Sequence, residues 1–102
     1  MAFVHRRVFF AKVGKADALV EHLKEGEGFM GAGKIKTRLL TDFQSGRSDR
    51  VVMEWEVDSF GDIDAEMSRL GEDPAIRAKF QAWEPKMNEM IHYSEAENLM
   101  IR

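Results

Sequence analysis

The order in which periodicity changes along the 102-residue chain predicts an α+β domain: one four-stranded antiparallel sheet with its helices on one face. Three observations carry that prediction. Phe3–Val13 alternates with period two and is rich in Val and Phe. Ala16, Leu19, Val20 and Leu23 then recur on one helical stripe. Lys34–Phe43 and Arg50–Asp58 are alternating runs joined by a short Gly-containing polar loop, which is the pattern of a hairpin. A longer helical stretch and a closing strand at Asn98–Arg102 complete the order β-α-β-β-α-β, the ferredoxin-like arrangement.

In the first strand one face carries Phe3, His5, Arg7, Phe9 and Ala11, the other Val4, Arg6, Val8, Phe10 and Lys12. Neither is wholly polar. Val4, Val8 and Phe10 are assigned to the helix side, which leaves His5, Arg7 and Phe9 opposite. Gly14 ends the strand, and the first helix is expected over Ala16–Lys24. Gly26, Gly28, Gly31 and Gly33 read as its stop and a flexible connection; no Gly-Lys-Ser/Thr follows, so they are no phosphate loop. In the hairpin Ile35, Thr37, Leu39, Val51, Met53, Trp55 and Val57 make the greasier face, placed under the helices. Lys36, Arg38, Leu40, Val52, Glu54 and Glu56 lie opposite. Ser59 caps the next helix, with Asp62 at the capping-box position. Gly71 to Pro74 breaks and restarts it, with Asp73 as cap and Pro74 in the first turn. Ile76, Phe80, Trp83, Met87 and Met90 continue the stripe, and Pro85 predicts a kink or a boundary near Trp83.

Composition narrows the function classes. Apolar residues at 44% and charged residues at 32% suit a soluble globular chain, read as a single domain over residues 1–102. A net charge of −3 argues against a nucleic-acid binder, although His5-Arg6-Arg7 and Lys34–Arg38 leave room for a small anion. Without cysteine there is no disulfide, thiolate nucleophile or Cys-ligated metal. No signal-peptide run and no membrane-length apolar segment occur, so the expectation is a cytoplasmic protein without a membrane partner. The three histidines share no metal-site spacing, and neither metal nor cofactor is expected.

The sheet face without helices needs a cover. On the assignment above it exposes Phe9, Leu40, Val52 and Met100, whose burial would contribute roughly 6 to 12 kcal/mol before ordering costs. A two-fold homodimer packed sheet on sheet is the simplest closed solution; a monomer with a half-polar, solvated sheet is the alternative.

Several stretches resemble the dimeric α+β barrel superfamily over nearly the whole chain, and its NIPSNAP-like branch in particular. They are the first strand running into a glycine (His5-Arg6-Arg7-Val8-Phe9-Phe10-Ala11-Lys12-Val13-Gly14), the charged third strand (Val52-Met53-Glu54-Trp55-Glu56-Val57) with Ser59-Phe60, and Glu72-Asp73-Pro74 with Trp83 downstream. Val13 departs from the pattern, which usually has proline before that glycine. The resemblance implies a homodimer whose sheets close into a barrel, often with a cleft between sheet and helices. Members include cofactor-independent monooxygenases, haem-degrading enzymes, isomerases and ligand sensors, and fold alone does not choose among them.

Candidate chemistry concentrates on the first strand and its neighbours. His5, Arg7 and Phe9, with Arg38, Glu54 and Glu56, are placed on one face, where His beside a carboxylate can act as a base and Arg can hold an oxyanion. Arg38 and Glu54 equally suit a cross-strand ion pair that sets register. His92 and Tyr93 follow the last helix and read either as an acid–base pair at a pocket rim or as a hinge residue and a core aromatic. The leading expectation is a homodimer binding a small molecule in a cleft. The alternative is a cofactor-independent monooxygenase or isomerase in which His5 or His92 moves a proton of an aromatic or enolisable substrate.

Overall fold

The computed structural model describes residues 2–30 and 35–102. Its elements run β1 (Phe3–Ala11), α1 (Ala16–Met30), β2 (Lys36–Thr41), β3 (Arg50–Val57), α2 (Gly61–Glu72), α3 (Pro74–Met90) and β4 (Ile91–Met100). The strands are antiparallel in the order β2-β3-β1-β4. The expected ferredoxin-like fold is therefore present, with a divided second helical segment. Among the described residues no helix is long and apolar enough to cross a membrane.

Register decides which side chains face the helices. His5, Arg7 and Phe9 of β1 lie opposite Trp55, Met53 and Val51 of β3, and opposite Asn98, Ala96 and Ser94 of β4. Phe9 and Val51 close the core with Leu19 and Leu23 of α1, against Trp83, Met87 and Met90 of α3. Each of those four buried side chains contributes about 1.5–3 kcal/mol by leaving water. The hairpin was thus assigned correctly and β1 was inverted: its odd-numbered residues face the helices, while Val4, Arg6, Val8 and Phe10 share the open face. Met100 pairs with Phe3 and also falls on the helix side, so of the four residues expected on the open face only Leu40 and Val52 lie there. Opposite registers were available to β1 because each of its faces carries several apolar side chains.

Capping follows the sequence at Asp73, whereas α2 starts at Gly61 behind Phe60, which makes no side-chain cap, and the Ser59 contacts lie one residue earlier. The Asp73 carboxylate accepts from the amides of Ala75 and Ile76 at 2.9 and 3.3 Å, with Pro74 at the first helical position. Asp62 accepts from the Ser59 amide at 3.2 Å, and the Ser59 hydroxyl from that of Gly61 at 3.2 Å. Gly14, at φ 76°, makes the turn into α1.

Three boundaries differ from expectation. α1 runs through Gly26 and Gly28 to Met30 rather than stopping at Lys24; Gly31, Gly33 and Lys34 lie outside the described residues. α3 is continuous through Pro85, so Trp83 marks no boundary. β4 begins at Ile91, seven residues before Asn98, and a bulge between Phe10 and Ala11 adjusts its register.

Candidate functional site

Between the helix-facing side of the sheet and the helices lies an open cleft of about 430 Å³. Its floor is Arg7, Phe9, Met53, Trp55 and Ser94; α1 contributes Leu23, Gly26 and Glu27; α2 contributes Met67; α3 contributes Phe80, Trp83, Glu84, Met87 and Asn88. The lining is apolar with a few polar groups, the composition usual for small-molecule sites.

The polar groups of the floor are poorly satisfied. Arg7 donates from Nη2 to the Ser94 hydroxyl at 3.0 Å, and its guanidinium carbon lies 5.5 Å from the Phe9 ring centroid. Its Nε has no partner, nor do Glu27 Oε1 and Trp55 Nε1. These three are the buried side-chain polar atoms without partners among the described residues, and all belong to residues lining the one cleft. Each such atom costs about 1–3 kcal/mol. Burial pushes the Glu27 carboxyl above its usual value, although Lys24 and the Thr37 hydroxyl pull it down.

One wall is fixed by a reciprocal clasp. The Trp83 indole donates from Nε1 to the His22 carbonyl at 2.7 Å, and His22 Nε2 lies 2.8 Å from the Trp83 carbonyl. A carbonyl only accepts, so His22 carries its proton on Nε2. The two rings stack 4.8 Å apart and within 6° of parallel. Gly26 makes this approach possible: a Cβ there would sit 2.7 Å from Trp83 Cζ2.

The expected site residues are divided between the two faces. Arg7 and Phe9 line the cleft. His5 lies beside it, 6.1 Å from Trp55 between ring centroids, with Nδ1 2.7 Å from Asn98 Oδ1. Arg38, Glu54, Glu56 and Tyr93 are on the open face, and His92 is an exposed residue of β4 rather than a hinge after the helix. Tyr93 stacks on Phe10 at 4.4 Å. Arg38 and Glu54 form the cross-strand pair at 2.6 Å, and Arg6 closes on the other carboxylate oxygen at 2.6 Å while reaching Glu97 at 3.6 Å. One row across four strands thus alternates in sign: Arg38, Glu54, Arg6, Glu97. Burial, the largest single influence on Glu54, pushes its carboxyl up; the hydrogen bonds and charges of Arg38 and Arg6 together outweigh it and hold the carboxyl below its usual value. Sequence reasoning placed Arg7 beside this row because β1 was inverted, and it missed Glu27 altogether. Glu27 sits between two glycines and reads as part of a linker, with no signal to single it out.

No family profile and no curated protein matches the sequence. Solved structures do resemble it. An uncharacterised NIPSNAP domain protein from Burkholderia xenovorans superposes with a TM-score of 0.78 at 24% identity, covering 98% of this chain and 94% of that one. A NIPSNAP family protein from Agrobacterium tumefaciens gives 0.75 at 20%, over 100% of this chain and 94% of that one. The fold is that of the NIPSNAP domain proteins. SnoaB, a cofactor-independent oxygenase from Streptomyces nogalater, is also similar, with a TM-score of 0.69 at 11% identity over 99% of this chain and 93% of that one. At these identities the NIPSNAP likeness is one of architecture, and it carries no activity with it.

Proposed function

We propose that this chain binds a small, mostly apolar molecule in the cleft, as one half of a homodimer joined through its open sheet face. The observation that carries the binding reading is the concentration of the three unpartnered buried atoms, Arg7 Nε, Glu27 Oε1 and Trp55 Nε1, around one apolar hollow. A packed core with no ligand to receive has no reason to gather them there. The volume falls within the range of about 300–1,000 Å³ usual for ligand pockets. Anilinonaphthalene sulfonate, an anionic aromatic dye, is expected to bind the folded chain with one saturable site. Asn88→Trp, a bulky ring at the exposed rim, is expected to weaken that binding at least about fivefold (~1 kcal/mol) without altering near-UV circular dichroism. Equal dye affinity in both proteins removes the cleft as the site.

A second reading, cofactor-free oxidation or isomerisation of a phenolic or enolisable molecule, is favoured by the Glu27 carboxyl, whose raised pKa suits proton transfer. It moves the proposed base from His5 or His92 to Glu27. The wild type is expected to speed exchange of solvent deuterium into 2-tetralone. The rate should rise with pH as Glu27 loses its proton, with a midpoint above the ordinary glutamate value. His5→Ala and His92→Ala should retain it and Glu27→Gln should lose it. Exchange no faster than in buffer rejects this reading.

The dimer rests on the open face, where Leu40, Leu99 and Tyr93 stand 41%, 39% and 52% exposed around the charged row. A second copy suits that surface better than water does.

A further inference from the structure

We propose that the cleft selects a flat apolar molecule with an anionic oxygen group at one end, seated against Arg7 and Trp55, and a hydroxyl at the other, seated against Glu27. This rests on the reading of the cleft as a binding site and adds what the site demands of its occupant.

The anionic end follows from Arg7. The arginines on the open face and the hairpin loop all have carboxylates: Arg6 and Arg38 on Glu54, Arg47 on Asp49, Arg50 on Asp42. Arg7 has a serine hydroxyl and an aromatic face, and among the described residues no carboxylate forms an ion pair with it. It is a partly buried cation on an apolar floor, with one N–H pointing at nothing. The Trp55 indole, donor only, is a second unanswered N–H on the same floor. Two donors and a positive charge call for an oxygen with spare lone pairs and negative charge.

The hydroxyl end follows from Glu27. Its free oxygen accepts and does not donate while the carboxyl is ionised, and the carbonyl oxygen of the protonated form accepts as well. Lys24 and the Thr37 hydroxyl act on Glu27, and among the described residues it forms no ion pair with Arg7. With no ion pair between them, each group is left to answer a part of a ligand. Leu23, Met53, Phe80 and Met87 line the same cleft, which fits an aromatic body.

Calorimetric titration of the full chain with 6-hydroxy-2-naphthoate, 2-naphthoate and 2-naphthol separates the two ends. The first is expected to bind at least about tenfold tighter than either of the others, one charged or neutral hydrogen bond being worth that ratio. Arg7→Met should weaken the two carboxylates at least about tenfold more than it weakens 2-naphthol. Glu27→Leu should weaken the two hydroxyl ligands at least about tenfold more than it weakens 2-naphthoate. Where a variant loses its native near-UV spectrum, the ranking of the three ligands on the wild type decides by itself. Equal affinities across the set overturn the two-ended assignment and leave the cleft a binding site. Dye binding without binding of any naphthalene acid or alcohol does the same. Loss of dye binding and naphthalene binding together removes the underlying reading as well.

Discussion

Gly26→Val is expected to cost about 2–4 kcal/mol of folding stability, combining overpacking with a β-branched side chain in a helix. Helix propensity alone predicts the reverse, because glycine inside a helix is about 1 kcal/mol less favourable than alanine. The contact decides the sign. A Cβ on Gly26 would lie 2.7, 2.8 and 3.2 Å from Cζ2, Cε2 and Nε1 of Trp83. That ring has nowhere to go: it is stacked on His22 and tied to the His22 carbonyl. Gly28, two residues on in the same helix, is the control, since a Cβ there meets nothing within 4 Å. Gly28→Ala is therefore expected to stabilise by about 0.5–1 kcal/mol. Urea unfolding of the two variants beside the wild type gives the comparison. A Gly26→Val midpoint at or above that of the wild type would mean that Trp83 is free to swing away, and the rigid cleft wall would be lost from the account.

Gly26 also illustrates what was legible in the sequence and what was not. The hairpin, the cap at Asp73 and the order of elements along the chain follow from strong local patterns. The length of α1 does not. Two glycines at Gly26 and Gly28 carry the ordinary signal for a helix end, and only the indole across from Gly26, 57 residues away in sequence, explains why a helix tolerates one there. β4 was hidden for a different reason. Glu95, Ala96 and Glu97 are helix formers, and the strand's helix-facing side carries Ser94, Ala96 and Asn98, so hydrophobic alternation is faint. Charged residues on a strand at the edge of a sheet discourage pairing with other chains, which gives Glu95 and Glu97 a purpose that periodicity cannot see. The cleft suffered most from β1. Its two faces are nearly matched in apolar content, so the choice between Arg6 and Arg7 as the inward cation rested on a register that only pairing with β3 supplies. Of the six ligand-binding candidates Arg7 and Phe9 share the cleft, while Arg38, Glu54, Glu56 and Tyr93 do not; their companions Trp55 and Glu27 come from β3 and α1.

An effect of similar size is expected from one charge on the other side of the sheet. Leu40→Asp should weaken homodimer formation at least about 100-fold, because each dimer loses two buried leucines and gains two desolvated carboxylates. Leu40, Val52 and Val8 form an apolar row across β2, β3 and β1 that ends on Glu95 of β4, directly beside the row of Arg38, Glu54, Arg6 and Glu97. A row that alternates in sign is complementary to its own reverse, which a two-fold axis along the strands supplies: Arg38 would meet Glu97 of the second copy, and Glu54 would meet Arg6. In the row beside it Val52 would meet Val8 of the second copy and Leu40 would lie against Glu95; the paired valines exclude water from those charges, which strengthens them. Because Leu40 is already 41% exposed in the single chain, its replacement should leave the monomer folded. Val13→Asp, at a site 98% exposed beyond the end of β1, is the matched control and should leave association unchanged. Sedimentation velocity over a wide concentration range reads all three proteins. The wild type and Val13→Asp should run at twice the 11.7 kDa chain mass and Leu40→Asp at the chain mass itself. A wild type that stays at 11.7 kDa throughout would leave the alternating row a solvated ion network and the dimer without support. The cleft lies on the opposite side of the sheet, so that result would bear on the open face alone.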